Sequence, residues 1–305
     1  MTGFFNVYKE AGYTSHDVVA IVRKLTGGKV GHTGTLDPQA EGVLPICQGR
    51  ATKLADMITG QEKSYVAEVM LGVTTDTGDM TGQVLSKSPV RFDEAAIAKV
   101  IEGFRGPQMQ VPPMYSALKI GGKRLYELAR RGQTVERKPR AVNIADIRVV
   151  EYRPENNSFI IDVACSKGTY IRSLCMDIGE ALGTGAAMGT LLRTRSGAFT
   201  VGTALKVAEI RDAAADGRLS ELLLPVEEVL VYPRAYVRPE GMAMAKNGNP
   251  LPLGLVAMPT DESKASLADM STDDKVWLHG PDGLIGLYTV DATPGAERLR
   301  LLVML

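Results

Sequence analysis

The chain has 305 residues, 45% of them hydrophobic and 23% charged, which excludes a disordered polyelectrolyte and leaves room for one large folded unit and a smaller one. Its 35 basic and 35 acidic residues cancel, so total charge names no polyanionic partner. No apolar run approaches the roughly 18 residues of a membrane span, the opening MTGFFNVYKE lacks the basic and apolar parts of a signal peptide, and Cys47, Cys165 and Cys175 are too scattered for a disulfide framework or zinc site. A soluble cytoplasmic chain without a bound metal is the expectation.

Thr14 followed three residues later by Asp17 is a helix-starting box, and Val18, Ile21, Val22 and Leu25 recur at helical spacing up to Gly27. The glycine-rich run from Gly31 to Gly42 reads as a loop, and Leu54, Met57 and Ile58 predict a second helix that stops at Gly60, so the loop is expected between two helices. Residues 65–71 predict a strand, 74–82 a turn-rich segment, and Ile97, Val100, Ile101 and Phe104 another amphipathic helix. The β-rich run Phe159 to Cys165 leads into a helix carrying Ile171, Leu174, Cys175, Ile178 and Leu182, ended by Gly183. On that helix Arg172 falls on the flank of the apolar stripe, from which its side chain can enter an adjoining cleft. Helical patterning stops near residue 235. Beyond it, the pairs Asn247-Gly248 and Asp282-Gly283 and the apolar run Leu284 to Val290 predict a small β-rich unit over 236–305, after a larger unit over 1–235.

Charge is unevenly distributed. Lys119, Lys123, Arg124, Arg130, Arg131, Arg137, Lys138 and Arg140 are opposed only by Glu127 and Glu136, which makes this segment a candidate polyanion grip. Asp261, Glu262, Asp269, Asp273 and Asp274 make a later stretch acidic, which argues against direct phosphate contact there.

The segment GHTGTLDPQAEGVLPICQGRATK, from Gly31 to Lys53, carries the most chemistry. Taken alone, Asp37 before Pro38 is also the pattern of an N-cap with proline in the first helical position. A phosphate-cradling G-x-x-x-x-G-K-[ST] loop is absent, which disfavours nucleotide hydrolysis.

As a whole, this string resembles the signature of the tRNA pseudouridine synthase B family, G-H-T-G-x-L-D-P followed by G-x-A-T-K. In the family's order come Lys63-Ser64-Tyr65, Thr75-Asp76-Thr77-Gly78-Asp79, Pro112-Pro113-Met114-Tyr115-Ser116-Ala117-Leu118-Lys119 and Ser166-Lys167-Gly168-Thr169-Tyr170-Ile171-Arg172. The resemblance covers roughly residues 3–230 and departs from the pattern at Lys9-Glu10, where the family has Lys-Pro. It implies an α+β pseudouridine synthase fold with a central mixed, largely antiparallel sheet, an RNA-contacting insertion at about 119–145 and a C-terminal PUA-like domain. The activity implied is isomerisation of uridine 55 in the T loop of tRNA.

That reaction detaches uracil from C1′ and reattaches it through C5 with no change of atoms, and so calls for no cofactor. By resemblance, Asp37 is the catalytic carboxylate and Arg172 its cationic partner, a planar guanidinium being able to pair bidentately. Tyr65 lies against the base, where a ring can stack and a phenol can assist proton transfer. Tyr170 and Leu191 match further pocket positions, and His32 braces the place vacated by the extruded base. Lys119, Arg130 and Arg131 belong to the insertion, which supplies phosphate contacts to the T arm. A monomer without an obligate protein partner is expected. The rival readings are a catalytically silent RNA-binding protein, which has no need of the Asp37 and Arg172 pair, and a synthase of the same fold acting on another RNA.

Overall fold

The computed structural model describes residues 1–258 and 270–305. In chain order, β1 (Gly3–Lys9), α1 (Ser15–Thr26), β2 (Val30–His32), β3 (Glu41–Gln48), α2 (Ala55–Thr59) and β4 (Lys63–Leu71) come first. A hairpin of β5 (Val73–Thr75) and β6 (Val84–Lys87) precedes α3 (Glu94–Glu102) and β7 (Gly106–Gln110). The chain then leaves the body through β8 (Lys119–Ile120), β9 (Lys123–Arg124) and α4 (Leu125–Ala129), and returns along β10 (Arg140–Arg153), β11 (Ser158–Cys165), α5 (Ile171–Ala181) and β12 (Ala186–Ser196). After β13 (Phe199–Thr200), β14 (Leu205–Lys206), α6 (Val207–Ala215) and α7 (Val226–Val229), a second set begins with β15 (Arg234–Val237) and α8 (Met242–Lys246). It continues through β16 (Leu251–Pro252), β17 (Val256–Ala257), β18 (Lys275–Gly280), β19 (Gly283–Asp291) and β20 (Arg298–Met304).

The larger sheet runs β14-β1-β3-β12-β4-β11-β10-β7, with β2 added on β3 and β13 on β12. Only β1 with β14 and β3 with β12 are parallel, so the sheet is mixed and largely antiparallel, in an α+β architecture. β4 shows how sequence sets this layer: Tyr65, Ala67, Val69 and Leu71 are buried and alternate with half-buried residues, one face turned to the core. Helix α1 starts as its sequence dictates, with the Asp17 amide donating to Thr14 Oγ1 at 3.1 Å and the Thr14 amide donating to Asp17 Oδ2 at 2.8 Å. Its apolar stripe packs with α5 against the sheet in one core that also holds Phe5, Leu44, Phe159 and Ile178, each such side chain contributing about 1.5–3 kcal/mol on burial.

Two expectations need correction. The loop after α1 does not lead directly to a helix, because β2 and β3 intervene. β3 is buried on nearly every residue rather than on alternate ones, and Pro45 lies inside it, so neither alternation nor composition marks it as a strand. Asn247-Gly248 does not make a hairpin; it closes α8, the Asn247 amide donating to Ala243 O at 3.3 Å, whereas Asp282-Gly283 does connect the antiparallel β18 and β19. The basic segment folds as the β8–β9 hairpin followed by the short helix α4. Of the acidic stretch, Asp261, Glu262 and Asp269 lie outside the described residues; Asp273 and Asp274 are exposed.

The second sheet, β16-β20-β19-β18-β15-β17, is β-rich as expected. It shares a core with the first: Trp277 and Leu287, both fully buried, pack among Phe4, Val43, Leu54, Ile58 and Phe199. The Trp277 indole N–H also donates to Leu230 O at 2.8 Å.

Candidate active site

Asp37 stands on the irregular segment between β2 and β3, and Arg172 on the first turn of α5. No helix follows Pro38, so the cap reading of Asp37 fails; the Asp37 carbonyl only closes a turn with the Ala40 amide at 3.1 Å. The carboxylate instead meets Arg172 side-on, with Nε to Oδ2 at 3.0 Å and Nη2 to Oδ1 at 3.4 Å. Arg172 is not on an open flank. Its side chain is 5% exposed and that of Asp37 39%, so the cation is buried behind a carboxylate that faces the cleft. The remaining guanidinium donors are used as well: Nη1 donates to Thr77 O at 2.9 Å and Nη2 to Tyr115 O at 2.6 Å, while Asp79 Oδ2 lies 3.8 Å from Nε. A planar fork held on four sides has little freedom to turn away.

Burial raises the pKa of Asp37 above the ordinary carboxylate value, Arg172 opposes the rise, and Asp79 adds to it. Asp79 is itself held by Thr77 Oγ1 at 2.9 Å and by the Thr81 amide at 3.0 Å. Two buried cations fix the backbone around Asp37. Lys9 Nζ donates to Tyr13 O at 2.6 Å and Pro38 O at 2.9 Å, and the Gly12 amide also reaches Pro38 O, so the turn at Lys9-Glu10 is closed without a proline. Arg193, 1% exposed, donates from Nε to Val43 O at 2.7 Å and from Nη2 to Gly34 O at 3.1 Å. Gly42 is required by this packing: its φ is +103° and a Cβ there would stand 2.3 Å from Arg193 O.

Asp37 and Arg172 form the neck between two compartments. The inner one, about 270 Å³, is lined by Tyr65, Tyr170, Leu191, Lys63, Lys167 and Arg193. The outer one, about 810 Å³, is lined by His16, His32, Lys119, Arg124, Tyr126 and Arg130. Tyr65 and Tyr170 have pKa values raised by burial and so remain neutral phenols. Gln110 clamps the backbone of Tyr170, accepting from its amide at 2.7 Å and donating to its carbonyl at 3.0 Å. His32 stacks edge-on against His16, ring centroids 5.5 Å apart, and burial pushes its pKa down to about 4. A neutral imidazole at that position offers a flat, uncharged surface.

The insertion is tied to this centre. The Tyr126 amide donates to Ser116 O at 3.1 Å and the Leu125 amide to Leu118 O at 2.8 Å, next to the Tyr115 carbonyl that holds Arg172. Lys119 and Arg130 therefore face the outer compartment, whereas Arg131 is exposed and lines neither compartment.

Residues 22–171 match the TruB family pseudouridylate synthase (N terminal domain), and residues 172–231 match the tRNA pseudouridylate synthase B C-terminal domain. The chain belongs to the TruB family. The tRNA pseudouridine synthase B of Alkaliphilus oremlandii is 47% identical over 251 residues, 82% of each chain. That of Lachnoclostridium phytofermentans is 44% identical over 95% of this chain and 96% of its own, and that of Bacillus subtilis 40% identical over 93% and 91%. Among solved structures, a chain in a Cbf5-Nop10-Gar1 complex is 27% identical with a TM-score of 0.71, covering 99% of this chain and 84% of that one. A chain in an H/ACA ribonucleoprotein bound to a substrate RNA containing 2′-deoxyuridine is 25% identical, with a TM-score of 0.72 and the same coverage.

Sequence reasoning missed Asp79, Gln110 and Arg193. Asp79 stands inside the quoted motif Thr75 to Asp79 but without a role. Arg193 had one usable signal: two residues after Leu191 on a strand, it points to the same face.

Proposed function

We propose that this tRNA pseudouridine synthase, an isomerase, converts uridine 55 of the T loop, with Asp37 as the catalytic carboxylate acting on an extruded nucleotide. The observation that carries this reading is the Asp37 and Arg172 pair at the neck of the two compartments. An anion held toward the cleft by a buried guanidinium is available to the sugar C1′ or to C6 of the base. Tyr65, Tyr170 and Leu191 give the inner compartment two aromatic walls and an apolar one, suited to a flat base. His32 braces the RNA where the base has left, and the unstacking cost of a few kcal/mol is offset by these contacts.

Lys119, Arg130 and Arg131 contact phosphates of the T arm from the insertion at about 119–145, residues 1–235 carry the chemistry, and 236–305 form a PUA-like unit. The enzyme works as a cytoplasmic monomer, and rearrangement without net change of atoms requires no cofactor. The rival of a silent RNA-binding protein is disfavoured because it gives Asp37 no reason to be held beside a cavity. The relatives at 40–47% identity bear the name tRNA pseudouridine synthase B, which favours tRNA over another RNA as substrate.

Incubation with an unmodified tRNA transcript, followed by chemical mapping of pseudouridine by primer extension, tests the assignment: a single stop at the T-loop uridine is expected, and no stop overturns it. Neutralising Arg130 and Arg131 together is expected to weaken binding to unrelated hairpins as much as to the T arm and to lower the salt slope of log K by about 1–2. Filter binding across a salt series measures both, and a loss confined to one sequence would contradict a phosphate role.

A further inference from the structure

The inner compartment carries an excess of positive charge that the ion pair at its neck leaves unexplained. Four cations line it, Lys63, Lys167, Arg172 and Arg193, against one acid, Asp37. Arg172 is matched by Asp37; Lys63 and Arg193 have no carboxylate partner among the described residues. Both are buried, 6% and 1% exposed, and both are met by uncharged acceptors, backbone carbonyls for Lys63 and carbonyls together with the Tyr65 phenol for Arg193. Lys63 Nζ donates to Thr59 O at 2.8 Å and Gln61 O at 2.7 Å, and Arg193 donates to Val43 O and Gly34 O. Carbonyls meet the hydrogen-bonding requirement of a buried cation but leave its charge in place. A fold that keeps two such charges beneath one small cavity presents a fixed positive field to whatever enters it.

Resting on the functional reading above, we propose that Lys63 and Arg193, with Lys167 at the rim, adapt the inner compartment to an anionic nucleobase: the uracil leaves the sugar as its N1 anion and is held there while it turns. The N1–C1′ bond breaks with both electrons on N1, and the positive charge developing at C1′ meets the Asp37 carboxylate. After rotation, C5 supplies an electron pair to C1′, the new carbon–carbon bond closes, C5 gives up its proton and N1 takes one. Atoms and charge balance with no further reactant. Arg193 and Lys63 act chiefly through their field, since backbone carbonyls and the Tyr65 phenol take most of their donors; they are positioning residues for the anion.

The experiment uses the full chain with T-arm hairpins carrying uridine or 5-fluorouridine at the target position. Single-turnover consumption of that nucleoside is followed by rapid quench. Fluorine acidifies the base, so its anion depends less on external stabilisation. Arg193→Met is expected to slow the uridine hairpin on the order of 10²-fold and the fluorinated one by less than about 10-fold, with hairpin affinity unchanged. Lys63→Met should show the same inequality. Because buried Arg193 and Lys63 are open to folding defects, a circular dichroism melt accompanies each variant. Exposed Lys167→Met gives a reading that does not depend on the core, expected to slow uridine by about 3- to 10-fold and the fluorinated hairpin less. Equal slowing of the two hairpins in the folded variants, or no slowing, overturns the proposal while leaving the enzyme assignment intact. A wild-type chain that consumes neither nucleoside overturns the assignment itself.

Discussion

Asp37→Asn is expected to abolish pseudouridine formation, lowering the single-turnover rate on the order of 10⁴-fold or more, while affinity for a T-arm hairpin stays within about twofold of wild type. The amide has the shape of the carboxylate but cannot be a nucleophile or carry the anion that C1′ requires. Arg172 should not collapse in this variant, because Thr77 O, Tyr115 O and the nearby Asp79 still hold it. Burial already disfavours the charged form of Asp37, so its neutral replacement should melt no lower than wild type, a stability profile opposite to that of a structural acid. The same environment fixes the sign of the pH dependence. A raised pKa means the active, ionised form is lost on acidification sooner than for an ordinary carboxylate, so the acid limb of the rate profile should lie above the usual range near 3.9. Release of the C5 hydrogen as tritium, measured with titrated protein, reads rate and limb together; full turnover by the asparagine variant would remove Asp37 from the chemistry.

Arg172→Lys comes next in expected effect. The guanidinium serves Asp37 with Nε and Nη2, the Tyr115 carbonyl also with Nη2 and the Thr77 carbonyl with Nη1, and an ammonium on a flexible stem cannot reach all of them from one point. A rate loss of about 10²- to 10³-fold is expected even though the charge is retained. Leaving one buried carbonyl unpaired should lower stability by about 1–3 kcal/mol. Quench-flow rates and a denaturant titration on the same preparation separate the two effects. Near-normal turnover with lowered stability would mean that Arg172 only ties strands and loops together.

What the sequence made legible follows from where local rules act alone. The Thr14 and Asp17 box, the stripe of α1 and the stripe of α5 each state their structure within a dozen residues, and the structure repeats them. β3 was hidden because its layer is covered on both faces, which erases alternation, and because Pro45 argues against a strand. Asn247-Gly248 misled because the same dipeptide closes helices and turns hairpins, and only the preceding chain decides. Within the site, Asp37 and Arg172 could be paired by resemblance, but the burial of Arg172 and its grip on Thr77 and Tyr115 depend on three segments distant in sequence. Arg193 looks in the sequence like one of several arginines on an ordinary strand; its lack of an acid partner becomes visible only when every neighbour is in place.

Trp277 gives the smaller sheet a consequence for the integrity of the larger one. Its ring is inserted among Phe4, Val43 and Leu54 of the larger unit and bonded to Leu230, so the two lobes are riveted rather than hinged. Any partner that touched both would meet them at one fixed angle. Cutting the chain just past β15 would not liberate a self-sufficient catalytic half; it would strip the cover from Phe4 and its neighbours and leave a greasy surface prone to clump.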